Sequence, residues 1–101
     1  MNRSFHPFFK NDVIEASNYY DDNQPGLGDS FKEVLEEALE NLAQAPLRWR
    51  QFRGPYRRCQ LKRFPYYIVF RFDEREEIIV FALVHVRRHP DSWIDRAVDP
   101  K

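Results

Sequence analysis

The chain has 101 residues carrying 16 basic and 16 acidic side chains, so its formal net charge is zero, and 43% of it is hydrophobic. This length fits one domain, 1–101, able to bury roughly 60 to 65% of the surface its unfolded chain exposes. There is no run of about 18 apolar residues and no charged-then-apolar leader, so neither a membrane span nor a signal peptide is expected, and a soluble cytoplasmic protein is the default reading.

In chain order, Arg3 to Phe5 suits a short edge strand cut off by His6-Pro7, with Pro7 in the first turn of a helix, where its missing N–H is not needed. Phe9, Val13, Ala16 and Tyr20 then recur at helical spacing to about Asp22, and Asn23-Gln24-Pro25-Gly26 stops the helix. A second helix runs from Gly28 or Asp29 to Ala45. Phe31, Val34, Leu35, Ala38, Leu39 and Leu42 lie on one stripe, with Glu33, Glu36, Glu37 and Glu40 away from it. Pro46 ends this helix, and the two form an antiparallel hairpin. The connector PLRWRQFRGPY interleaves bases with Trp49 and Phe52. That pattern can pair phosphate contacts with base stacking, but an aromatic tucked into the core edge is the expectation here.

The remainder reads as three consecutive strands, a small antiparallel sheet. Arg57 to Lys62, Tyr66 to Asp73 and Glu77 to Val86 are rich in β-branched and aromatic residues, and Asp73-Glu74-Arg75-Glu76 suits a hairpin turn. Alternation puts Tyr66, Ile68, Phe70 and Phe72 on a core face under the helix hairpin. It puts Arg58, Gln60, Lys62 and Arg71 on an opposite, basic and accessible face, with Tyr67 and Val69 between them. His85 and Arg87 share a parity at the end of the last strand. Pro90 to Ala97 is long enough for two helical turns. The fold class is therefore α+β, with the N-terminal helix hairpin packed on one face of the sheet and a short helix at the end.

Chemistry is narrowed by what is missing. There is no Gly-rich phosphate loop, CxxC pair, HExxH or nucleophile elbow. His85 and His89 lack a third ligand nearby, so neither a metal nor another cofactor is expected. Lone Cys59 falls at a core-facing strand position, as a small apolar group. The charge is segregated: from Lys10 to Glu40 there are nine acids and two bases, and from Arg48 to Arg71 eight bases and no acid. A polyanion or an acidic peptide suits such a surface. Cleavage of RNA by its own 2′-OH needs a base, an acid and cations. His85 could move protons, with Arg58, Lys62, Arg71, Arg87 and Arg88 as charge. Alternatively, Arg87 and Arg88 pair with Asp91 or Asp95.

The order Tyr19-Tyr20, Gly26-Leu27-Gly28, Phe31, Pro46, Arg57-Arg58, Arg63-Phe64-Pro65-Tyr66, then His85, Arg87-Arg88, Pro90 and Trp93 resembles the RelE/ParE superfamily of type II toxin–antitoxin toxins, on its ParE-like, plasmid-stabilisation branch. The resemblance implies a toxin that forms a hetero-oligomer with a cognate antitoxin, whose C-terminal segment wraps across it. ParE-like members act on DNA gyrase; RelE-like members cut messenger RNA on the ribosome. The RelE-type catalytic set carries over only as Arg58, His85 and Arg87. Gln60 and Tyr67 stand where cations are expected, and Trp93 where a tyrosine is. The resemblance thus favours the gyrase branch over the mRNA interferase, with a non-toxic, autoregulatory antitoxin binder as a further alternative. Arg58, Lys62, Tyr67, Arg71, Arg87, Arg88 and Trp93 are the expected target- or antitoxin-binding residues.

Overall fold

In the computed structural model, residues 3–73, 75 and 77–97 are described. The elements are β1 (Arg3–Phe5), α1 (Phe9–Asn23), α2 (Leu27–Gln44), a 3-10 turn at Pro46–Arg48, β2 (Gln51–Arg53), β3 (Tyr56–Gln60), β4 (Tyr66–Phe72), β5 (Ile78–His85) and α3 (Ile94–Ala97). The strands form one sheet in the order β1-β5-β4-β3-β2, with β1 parallel to β5 and all other pairs antiparallel. The expected three-stranded sheet is thus extended at both edges. β1 adds on one side, and the basic connector adds β2 on the other, too short to show a period of its own.

The helix hairpin covers the face expected of it. Phe31, Leu35, Leu39 and Leu42 from α2, and Phe9 and Ala16 from α1, are buried with Cys59, Ile68, Phe70, Val80 and Leu83, while Tyr66 and Phe72 pack at the margin. The turn between helices uses Gly26 at φ 89°, a left-handed conformation open to glycine. Between β3 and β4, Arg63 also takes positive φ, 69°, and Phe64 beside it is buried.

The opposite face corrects the expectation of an open basic surface. Tyr67, Val69, Phe81, Ala82, Val84 and Trp93 form a second buried cluster, with Phe52, Tyr56, Ile79 and Ile94 packed against it. A β-bulge on β5 leaves Phe81 as the extra residue, since neighbouring Val69 and Phe70 of β4 pair with Ala82 and Val80, and Phe81 so joins this second cluster beside Ala82. The lid is the segment after β5, which runs back under the sheet. It is a single helical turn, α3, rather than two, preceded by turns that carry Trp93.

That lid is pinned. Arg96 makes two hydrogen bonds to the Asp12 carboxylate of α1, at 2.7 and 2.9 Å, and a third to the Phe81 carbonyl at 2.8 Å. Asp12 Oδ2 also accepts the Leu83 N–H at 3.1 Å. Beyond β1, the edge of β5 is therefore capped by side chains.

Candidate functional site

The residues expected to act together are distributed over three places. On the second face, Arg58 stands opposite Val69, exposed, with its guanidinium 5.0 Å from the Phe52 ring centre and 5.2 Å from that of Tyr67. Such stacking fixes the fork of the guanidinium while leaving it wet. Tyr67 and Trp93, 5% and 1% exposed, are core residues of this face and not part of an open contact surface. Arg71 is half-buried, and its Nε and the Trp93 Nε1 are buried without a hydrogen-bond partner among the described residues. Arg71 is thus not the free surface cation its parity suggested, because Tyr56 and Ile79 flank it in register.

The second place is the end of β5. His85 lies opposite Tyr66, on the helix side of the sheet, with the rings 5.0 Å apart. Its Nδ1 accepts the Arg87 N–H at 3.0 Å, which leaves Nε2 to carry the proton of the neutral ring. A cavity of about 220 Å³ opens here, lined by Glu15, Tyr19, Tyr66, His85 and Arg88 among others. Burial pushes the Tyr66 phenol above its ordinary range, Tyr19 adds to the rise, and Arg88 opposes it. Arg87 follows the strand in an exposed turn. Asp91 pairs with Arg53, and no ion pair to Arg87 or Arg88 occurs among the described residues. The alternative in which Asp91 or Asp95 neutralises those arginines is not what forms.

Lys62 marks the third place. It falls after β3 ends and lines a groove against α2, so it does not join Arg58 and Arg71. Cys59 is buried at the same groove, and burial pushes its thiol up to about 11, which makes it a poor nucleophile at neutral pH. Among the described residues no three His, Cys, Asp or Glu side chains gather as a metal site, and no helix is long and apolar enough to cross a membrane.

Arg58 and His85 therefore face opposite sides of the sheet, with β4 between their strands. The Asp12–Arg96 pair, which sets the lid, had no local signature in the sequence because its members lie 84 residues apart.

The helix hairpin on a mixed sheet, with a short helix at the end, defines a small α+β protein. A family model, that of the ParE toxin of the type II toxin–antitoxin system parDE, matches residues 4–90, and the chain belongs to that family. Among solved structures it is similar to the chromosomal ParDE toxin–antitoxin system from P. aeruginosa, at 18% identity and a TM-score of 0.76, over 86% of this chain and 97% of that one. At that identity the likeness speaks for the fold. A comparison with curated proteins gives no significant match.

Proposed function

We propose that this ParE-family protein is a toxin that acts on DNA gyrase in the cytoplasm, is neutralised by a cognate antitoxin and uses no cofactor. The observation that supports gyrase over message is the separation of Arg58 from His85 by the sheet itself. RNA cleavage needs a base, an acid and phosphate-binding cations around one phosphorus, and side chains on opposite faces cannot converge on it. Removing even one electrostatic donor from such a site costs about 3 kcal/mol. Exposed Arg58, Arg87 and Arg88 remain suited to steering and holding an acidic macromolecular surface.

A second reading, ribosome-dependent RNA cleavage, has one observation in its favour. The cavity at Tyr66 gathers His85, Arg88 and Glu15 on a single side. One experiment separates the readings. Purified protein is expected to inhibit supercoiling by gyrase and to leave ribosome-bound message intact. Codon-positioned cleavage in a translation extract, with gyrase unaffected and the cleavage lost in His85→Ala, would replace the first reading by the second. Neither activity would point to the non-toxic antitoxin binder.

A further inference from the structure

We infer that the cleft alongside β5, between α1 and the segment after β5, is a binding site for a free guanine nucleotide, with the base at the His85 end and a terminal phosphate at the Trp93 end. The inference stands apart from the question of which macromolecule the toxin attacks.

Two cavities meet there. Asp12, Leu83 and Arg88 line both the cavity of about 220 Å³ at Tyr66 and a smaller one of about 40 Å³, so the two are neighbours along β5. In the larger, Glu15, Ala16 and Tyr19 come from α1 at helical spacing and meet Tyr66 and His85 of the sheet. Tyr19 is 60% exposed, so core packing does not account for its ring. An open phenol beside the half-buried Tyr66 is a platform on which a base stacks. Glu15 and Arg88 are exposed, and neither has an ion-pair partner among the described residues. Burial pushes the Tyr66 phenol up, with Tyr19 and Glu15 raising it further and Arg88 opposing them, so these groups surround one opening.

The pattern of donors and acceptors selects the base. A carboxylate only accepts hydrogen bonds. Guanine presents N1–H and N2–H side by side, two donors for the two oxygens of Glu15. Adenine sets a ring acceptor beside its amino group and meets the carboxylate with a lone pair. The His85 ring, whose Nδ1 is taken by the Arg87 N–H, has its Nε2–H left to donate to a base acceptor such as O6 or N7.

The smaller cavity suits the phosphate. Arg88, Ser92, Trp93 and Arg96 line it. Trp93 is 1% exposed, and its indole N–H, which can only donate, has no partner among the described residues. Asp12, the acid at this end, is already held by two hydrogen bonds from Arg96 and one from the Leu83 N–H, so its charge is compensated. Arg96 makes three hydrogen bonds in all, and a guanidinium has five N–H donors, so donors remain. A buried N–H, a hydroxyl and two guanidinium groups match the acceptor oxygens of a phosphate. The space is small and lies under the segment that carries Trp93 and Arg96, which fits a terminal phosphate better than a strand that continues.

The test titrates the full chain with GMP, AMP, guanosine and a single-stranded RNA oligonucleotide carrying one guanosine, followed by calorimetry. GMP is expected to bind at least about tenfold more tightly than AMP, and at least about tenfold more tightly than guanosine. Glu15→Gln is expected to erase the preference over AMP, and Arg88→Ala the preference over guanosine. Both positions are exposed, so the circular-dichroism spectrum should not change. Trp93→Phe, which keeps a ring and removes the N–H, is expected to weaken GMP and leave guanosine as it was. Equal affinity for GMP and AMP, or a preference that survives Glu15→Gln, overturns the base site. A gap between GMP and guanosine that survives Arg88→Ala overturns the phosphate end. Tighter binding of the oligonucleotide than of GMP overturns the free nucleotide in favour of a strand, and no saturable binding of GMP overturns the proposal entirely.

Discussion

At the scale of single residues, two glycines two positions apart do different jobs. Pro25-Gly26 was legible as a stop, because Gly26 takes a left-handed φ that few other residues adopt without strain. Gly28 was legible only as a candidate start of the second helix. A Cβ built there would stand 2.5 Å from the Ser17 carbonyl oxygen and 2.7 Å from the Asp21 carboxylate, and the Gly28 N–H donates to Asp21 Oδ1 at 2.7 Å. Its absence of side chain lets the two helices close. Helix propensity alone says that Gly28→Ala stabilises by about 1 kcal/mol, whereas overlap with a backbone oxygen says that it destabilises by about 1–3 kcal/mol. The second effect is expected to win, because Ser17 lies within a packed helix and cannot retreat cheaply. Urea denaturation decides it: a raised midpoint for Gly28→Ala would contradict the close approach.

At the scale of elements, whatever repeats locally was readable and whatever depends on distant partners was not. The stripe from Phe31 to Leu42 and the alternation from Tyr66 to Phe72 announce one helix and one strand; the helix buries Phe31, Leu35, Ala38, Leu39 and Leu42 where its period places them, whereas the strand buries Tyr67 and Val69 as well as Ile68 and Phe70. β2 has three residues amid turn formers and left no such trace. Arg58 and Arg71 share the face that alternation assigns them, but that face is not open, because Trp93 and Ile94 cover it. What holds that cover is Arg96 on Asp12, with 21% and 15% of the two side chains exposed. Partly buried and doubly hydrogen-bonded, this pair should matter more than a surface bridge of up to about 1 kcal/mol, and less than a fully buried one at about 3–5 kcal/mol. Asp12→Ala and Arg96→Ala are each expected to cost about 1–3 kcal/mol, and the double variant clearly less than their sum. Additive losses in a double-mutant cycle would mean that the two residues act independently.

At the scale of the whole molecule, the sheet is buried on both faces, although only one face carries helices long enough to be noticed. The thick side has the α1–α2 hairpin, and the thin side depends on a few aromatic side chains with Trp93 at their centre. Trp93 is 1% exposed, its ring centre lies 4.9 Å from that of Tyr56 and 5.8 Å from that of Phe52, and no other tryptophan shares its cluster. Replacing such a residue with alanine costs about 3–5 kcal/mol, a large part of the roughly 5–15 kcal/mol that holds a domain together. The loss should also be uneven, since the helix side does not touch the cavity created. Trp93→Ala is therefore expected to lower the urea midpoint strongly and to lose amide protection first in β3 and the segment after β5, with α2 protected longest. Cut loose, Arg58 would keep its charge but lose the fixed aromatic platform of Phe52 and Tyr67, so any contact that depends on its orientation should weaken along with stability. A loss below about 1 kcal/mol in Trp93→Ala would mean that the lid is only loosely seated. The thin side would then be the open basic face that strand alternation suggests, and Arg58 and Arg71 would regain the first claim on an acidic partner.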